Sequence, residues 1–464
     1  MGEHDLFGFI SQYDRLEIDM EKISEAKVYK FFAVISFVIG YFYLKHVLIN
    51  DFFEGNYIGH EYIKWHVPFF AVLFIAFTEG FAYLMGNTYA KLKEAGRSVI
   101  EPAILIGCII IQSVAACIYG LHDDWWFYQF CIWHFTIVYY VLSRMGVLVA
   151  GRSGIFFPLD AFRGMVVIPF SNIILRAQKL FARTSHTSVR SKVKKQIAKT
   201  DIGIIIVSVI IALLVCGYAF SQLIGVSETF AALGDGITNF MVNIISIDTI
   251  SDFVYSFFDD FFWYFLFSIP VGCWLYGLVA GSLGMKKDSV TDEKLEKESY
   301  HRLPSYSAYI IIGSVCVLYA IFFVSAFVDM MSGSIAATAP QASREAVGSF
   351  WQLIRVVGLN MAIMFASCFF SKEALWVERG TRILATVLFV FALCFALLAA
   401  WNLVGVYIAV YGITPRRILS SWVVVNVIAW CILILIRLYK KIPAAQIGIL
   451  FAAVTFSLTV CGNF

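Results

Sequence analysis

Charged side chains are scarce in this sequence: Asp, Glu, Lys and Arg make up 14% of its 464 residues, while 60% are hydrophobic. A soluble globular chain carries about 25% charged and about 45–50% apolar residues. The shortage excludes an ordinary soluble fold, because the apolar excess lies in long runs separated by short charged stretches, the pattern of a chain whose solvent is lipid. Basic charge is missing altogether from Thr200 to Met285. The net charge of +3 excludes an electrostatic nucleic-acid binder. Paired cysteines are missing too. All ten (Cys108, Cys117, Cys131, Cys216, Cys273, Cys316, Cys368, Cys394, Cys431 and Cys461) lie in apolar runs without a CxxC spacing. They read as small buried hydrophobes, neither a disulfide framework nor a metal centre. There is no glycine loop with a following Lys to cradle phosphate, no nucleophile-elbow serine, no zinc-ligand spacing and no dinucleotide fingerprint. A self-contained ATP-driven pump is thereby excluded, and no cofactor is expected. The start is acidic and polar, unlike a signal peptide, so the first apolar run is expected to be a retained anchor.

What is present is a series of apolar runs. A helix needs about twenty apolar residues to cross the hydrocarbon, because lipid cannot satisfy its backbone polar groups. Eleven runs approach that length, near 31–49, 66–86, 102–120, 126–149, 202–224, 261–283, 307–331, 350–370, 383–410, 418–437 and 444–461. The expected fold class is therefore all-α, a polytopic transmembrane helical bundle. Lys and Arg collect in alternate loops: Lys91, Lys93 and Arg97; Arg176 through Lys199; Lys286 and Lys287; Lys372, Arg379 and Arg382; Arg437, Lys440 and Lys441. Cytoplasmic loops carry this excess. The alternation predicts a cytoplasmic amino terminus and an external carboxyl terminus in the cell (plasma or inner) membrane.

Three parts follow: a six-span part over 1–284, a polar cytoplasmic linker over 285–305 and a five-span part over 306–464. Residues 5–23 predict an acidic amphipathic helix. Residues 226–260 predict interfacial helices outside. Residues 170–183 align Asn172, Arg176, Lys179 and Arg183 along one stripe, which predicts a basic helix lying on anionic lipid. The bilayer, anionic lipid included, is the expected partner.

Ionisable groups inside a membrane are costly and raise a functional question by default. Here they are Glu79, His134, Asp329 and Arg355, with Arg144 near enough to a span end to snorkel. At the outer face an acidic cluster (Asp248, Asp252, Asp259 and Asp260) accompanies three exceptions to the charge rule, Arg344, Arg416 and Arg417. These groups can pair, or can bind an anion such as a lipid phosphate, which arginine holds in a fork. The loops with His60, Glu61 and His66, and with His122, Asp123 and Asp124, lack metal-site spacing and read as solvated polarity. Gly277 and Gly281 predict close helix packing, and Pro270 a kink.

Residues 349–353 (SFWQL) lead into a helix reaching Asn360, and residues 407–417 (YIAVYGITPRR) lead into an apolar run with Trp422. Over 306–441 these motifs resemble a bacterial integral-membrane family classed as domain of unknown function 4153/4173. The resemblance implies a membrane location and no established activity. The family's first motif is contiguous, whereas Ala346 to Ser349 here separate Arg344 and Glu345 from Phe350. In the second motif Gly412 permits positive φ, Thr414 can cap the next helix and Pro415 suits its first position. Arg416 and Arg417 then stand at a helix amino terminus, where a bound anion would relieve their conflict with the dipole.

The expected binding set is Arg344, Glu345, Arg355, Asn360, Tyr411, Thr414, Arg416 and Arg417, with the four aspartates beside it. The leading expectation is a transporter-like or binding protein for an anionic lipid or small molecule at the outer face. The alternatives are a membrane enzyme acting on a lipid-linked substrate through Asp259 or Asp260, and a regulatory partner of another membrane protein.

Overall fold

The computed structural model describes residues 25–54, 64–121, 125–181, 260–284, 305–331, 339–370 and 375–462. Every element among them is helical: α1 (Glu25–Phe53), α2 (His66–Leu84), the short α3 (Tyr89–Glu94), α4 (Ile100–Ile118), α5 (Trp126–Met145), α6 (Phe157–Phe181), α7 (Asp260–Gly284), α8 (Ser305–Met331), α9 (Ala339–Phe370), α10 (Arg379–Tyr411), α11 (Pro415–Tyr439) and α12 (Ala444–Thr459). Among the described residues eight helices are long and apolar enough to cross a membrane: α1, α2, α4, α6, α10, α11 and the segments Tyr264–Gly284 and Phe350–Ser367. The protein is an integral membrane protein. Tyr309–Ile321 and α12 are shorter apolar helices. α5 is not among the eight, since Gln129, His134, Ser143 and Arg144 dilute its apolar run. The run near 202–224, the amphipathic segment 5–23, residues 226–259 of the expected interfacial helices and the linker's residues 285–304 lie outside the described residues.

The chain divides into two compact units. The first comprises residues 1–55, 72–87 and 162–284. Phe32 packs edge-on against Phe77 and Phe81 of α2, and Tyr29 against Phe81. α1 and α7 run antiparallel, since Tyr276 donates to Tyr29 O at 3.0 Å while Lys45 lies over the Tyr264 ring further along. Small residues set their approach. A Cβ on Gly40 would stand 2.8 Å from Gly272 Cα, and one on Gly272 would stand 2.8 Å from Ser36 O. The GxxxG of α7 is a packing groove, as its spacing suggests. A Cβ on Gly277 would meet Pro169 O at 2.8 Å, and one on Gly281 would meet the Asn172 amide.

That contact overturns the expectation of a lipid-facing basic stripe. α6 is no single rod, being π-helical over Arg163–Val167 and broken by turns at 172–174. Asn172, Arg176 and Lys179 meet protein. Asn172 seats on α7. Arg176, 6% exposed, donates from Nε to Ala33 O (3.0 Å) and from Nη1 to Ile269 O (3.3 Å) and lies over the Phe37 ring. Lys179 Nζ lies 3.9 Å from the centroid of Tyr29. Helix carbonyls and ring faces offer these cations more than headgroups do once a neighbouring helix stands close. Arg183 lies outside the described residues.

The second unit comprises 56–71, 88–161 and 285–464. Its largest core joins α8, α9, α10 and α11 through Tyr319, Val357, Leu388, Phe389, Phe395 and Cys431 among others. Side-chain bonds set the helix directions. α4 and α5 are antiparallel, with Trp133 donating to Ser113 Oγ (2.8 Å) and Ser143 to Glu101 Oε2 (3.3 Å). α11 and α12 are antiparallel, with Trp422 donating to Thr455 Oγ1 (3.0 Å) and Trp430 to Gly448 O (2.9 Å). α4 and α12 are parallel, joined by Gln446 to Ser98 (3.1 Å) at their starts and by Gln112 to Ser457 (3.0 Å) further on. α8 and α10 are parallel as well: Tyr309 donates to Glu378 just before α10, and Tyr319 meets Phe391 and Phe395 within it.

Candidate ligand cavity

Between α4, α5, α11 and α12, all in the second unit, lies a cavity of about 310 Å³. Leu105 comes from α4; Ile132, Phe135, Thr136 and Tyr139 from α5; Phe157 from the start of α6. Trp422, Val423, Asn426, Val427 and Trp430 come from α11, and Ile449, Ala452 and Ala453 from α12. The volume falls at the lower end of the range of small-molecule pockets, roughly 300–1,000 Å³. Ala452 and Ala453 contribute only methyl groups to this lining.

The polar groups of the lining can be accounted for one by one. Thr136 Oγ1 donates to Ile132 O (2.7 Å), Trp422 Nε1 to Thr455 Oγ1 and Trp430 Nε1 to Gly448 O. Asn426, 5% exposed, donates through Nδ2 to Trp422 O (2.8 Å) and Thr455 Oγ1 (3.3 Å). A carbonyl only accepts, so the Trp422 contact assigns the amide orientation and leaves Oδ1 as the acceptor. That Oδ1 is buried without a hydrogen bond. Buried polar atoms are seldom left so, and each such exception calls for an explanation.

Beyond Tyr139 stands a buried polar centre, with Ser153, Asp160 and Glu101 nearby. Glu101 is fully buried at the first turn of α4. Its Oε1 accepts the Ser153 N–H at 2.8 Å and its Oε2 the Ser143 hydroxyl. Asp160 Oδ1 accepts the Val149 N–H at 3.0 Å. The two carboxylates thus hold the 146–156 connection between α5 and α6 by its backbone, and Arg97 Nη1 donates to Leu148 O (3.4 Å) from the same side. Gly146 and Gly151 give that connection its positive φ (73° and 74°). Arg144 does not snorkel as its position near a span end suggests: it is 1% exposed, with its guanidinium 4.3 Å from the Tyr89 ring centroid. Tyr89, on α3, offers the guanidinium its ring face.

The residues singled out in the sequence are placed as follows. Asn360 is fully buried on α9, its Oδ1 accepting from the Tyr319 hydroxyl at 2.7 Å. Arg355 is exposed on the same helix. Arg344 and Glu345 belong to α9, but their side chains lie outside the described residues, as do Asp248, Asp252 and Asp259; Asp260 begins α7 and its side chain is likewise outside. The 411–417 turn forms as its residues dictate, with Gly412 at φ 76° and Pro415 at the first helical position. Thr414 occupies the cap position but makes no side-chain capping bond; its carbonyl takes the N–H groups of Arg417 and Ile418.

Arg417 Nη1 donates to Tyr411 O (2.7 Å) and Gly412 O, with the guanidinium 4.5 Å from the Tyr407 ring centroid. The cation answers the negative end of α10, so its conflict with the dipole of its own helix is met without an anion. Arg416 is exposed. Tyr411 and Arg417 are therefore brought together, while Asn360 is engaged elsewhere by Tyr319. Among the described residues no group of three or more His, Cys, Asp or Glu could hold a metal. Sequence reasoning passed over Asn426, although a lone amide in an otherwise apolar span is the signal that would have found it.

The family described as Domain of unknown function (DUF4153) matches residues 102–462. The chain belongs to this family. The DUF4153 match begins at the start of α4, well upstream of the motifs over 306–441, and contains every residue lining the cavity. No curated protein and no solved structure matches the chain.

Proposed function

We propose that this DUF4153 protein is a non-catalytic, multi-pass protein of the cell membrane that binds a single apolar chain of a membrane amphiphile in the cavity of its second unit. The observation that carries the reading is the 310 Å³ space between α4, α5, α11 and α12, walled by aliphatic and aromatic side chains. Dispersion and burial favour a hydrocarbon occupant there. The threading is eleven spans with the amino terminus in the cytoplasm. Its support is the directions of the paired helices: α4 and α12, which the charge pattern sends the same way, run parallel, and the hairpin pairs run antiparallel. Exposed Lys91, Lys93, Lys440 and Lys441 at span ends supply the contact with anionic headgroups.

The outer arginines do not anchor the ligand in this reading, because Arg417 is spent on the carbonyls of Tyr411 and Gly412. The test uses purified protein in lipid nanodiscs and a photoreactive alkyl chain, with crosslinked residues mapped by mass spectrometry. Labelling is expected within 422–430 and 449–453, and Ala452→Trp, which fills the space, is expected to lower it at least about tenfold while the melting temperature is kept. Labelling confined to the lipid-facing surface, unchanged in Ala452→Trp, would overturn the proposal.

A further inference from the structure

Away from the cavity, at the end of the second unit where α10 begins and α11 ends, two guanidinium groups meet on one tryptophan. We infer that Arg437 and Arg382, gathered on Trp376, form a binding site for the phosphate of an anionic phospholipid. The inference rests on the chain spanning a membrane and not on the cavity being occupied, so either can fail without the other.

Arg382 donates from Nε (3.0 Å) and Nη2 (2.6 Å) to Trp376 O, and Nη2 also lies 3.4 Å from Val377 O. Arg437 approaches the same residue from α11, its guanidinium carbon 4.4 Å from the Trp376 ring centroid. All three side chains are half-buried, so they are held in place and still open to a ligand. Two like charges brought to one residue repel. Among the described residues neither arginine has a carboxylate partner, and Glu378 beside them accepts from the Tyr309 hydroxyl at 2.9 Å. A bound anion relieves that repulsion. Ring stacking engages only the face of Arg437. A guanidinium carries its N–H donors in its plane, and among the described residues Arg437 makes no hydrogen bond with them. Such an edge forks onto two oxygens of a phosphate. Arg437 also answers the negative end of the α11 dipole, a role any cation fills, whereas the fork is one that lysine lacks. Depth names the source of the phosphate. The membrane-capable segment of α10 begins at Arg379 and that of α11 ends at Tyr439. Tyr439 meets Thr386 Oγ1 at 3.0 Å, which ties the two ends together. Aromatic side chains at span ends mark the headgroup level, where lipid phosphates lie. Exposed Arg379 and Lys440 add positive charge, which favours an anionic lipid over a zwitterionic one.

The experiment titrates full-length protein, purified in detergent and stripped of lipid, with phosphatidylglycerol or phosphatidylcholine of the same chains, and counts bound lipids by native mass spectrometry. Phosphatidylglycerol is expected to make its first binding step about tenfold or more tighter than phosphatidylcholine, the factor a charge-assisted fork supplies. Arg437→Lys and Arg437→Gln are each expected to weaken that step about tenfold, with phosphatidylcholine binding and the lipid-free melting temperature kept. Arg152→Gln removes an exposed cation elsewhere on the same unit and is expected to leave the step unchanged. Equal binding of the two lipids by the unmodified protein would overturn the inference, and that comparison needs no variant to fold. Full affinity in both Arg437 variants, or an equal loss in Arg152→Gln, would also overturn it, the latter in favour of diffuse attraction. Millimolar inorganic phosphate displacing the lipid would keep the phosphate site and overturn a lipid as its occupant.

Discussion

Gly40 and Gly272 let α1 and α7 approach until backbone meets backbone. A methyl group at Gly40 would stand 2.8 Å from Gly272 Cα, with no flexible side chain in the way to yield. Gly40→Ala is therefore expected to part the helices and to destabilise the first unit by about 1–3 kcal/mol, as overpacking does. Gly107, on α4, has nothing within 4 Å of the same added atom. Gly107→Ala is expected to be neutral, or to stabilise by up to about 1 kcal/mol through helix propensity. Apparent melting temperatures of the two variants in detergent check the contrast.

Arg417 belongs at this scale too. Arg417→Ala removes two charge-assisted bonds to the end of α10, and a loss of roughly 1–2 kcal/mol is expected, with photolabelling of the cavity unchanged. A fall in labelling at constant stability would return the outer arginines to the site.

Among the elements, the 146–156 connection shows what could be read from the sequence and what could not. The apolar runs and the 411–417 turn were legible, because they depend on local composition and on what Gly412 and Pro415 permit their own backbone to do. The roles of Glu101 and Asp160 depend on N–H groups 52 and 11 residues away in the chain, and no local pattern reports such partners. The stripe of Asn172, Arg176 and Lys179 misled for the same reason. Its periodicity was right, but periodicity says only that a polar face exists, and here Gly277, Gly281, Phe37 and Tyr29 receive it in place of headgroups.

The carboxylate at Glu101 can be tested through the connection it holds. Glu101→Gln keeps a carbonyl to accept the Ser153 N–H, whereas Glu101→Ala leaves that buried donor bare, at a cost of about 1–3 kcal/mol. Trypsin cleavage after the exposed Arg152 is expected to accelerate in Glu101→Ala and to stay near the unmodified rate in Glu101→Gln. Equal rates in all three proteins would show that the connection is held by other contacts.

For the molecule as a whole, the eleven-span threading makes a prediction that helix content alone does not. Reporter tags or impermeant thiol labelling in intact cells should place Ser98 and Gln446 on the cytoplasmic side, and Lys194 and Asp235 on opposite sides. The first pair is bound together in one unit by the hydrogen bond near the starts of α4 and α12. The second pair flanks the run near 202–224. Lys194 and Asp235 found on a common side would remove that span and reverse the charge argument for everything after it.

The parallel pairing of α4 with α12 also sets an order of events during synthesis. Gln112 meets Ser457 across 345 residues of chain. The α4–α5 hairpin therefore enters the bilayer long before its last neighbour has left the ribosome, with the Gln112 amide and the rings that will wall the cavity exposed to lipid in the meantime. Until α12 arrives the pocket lacks one of its walls, so a newly made molecule would close it around whatever chain already lies there.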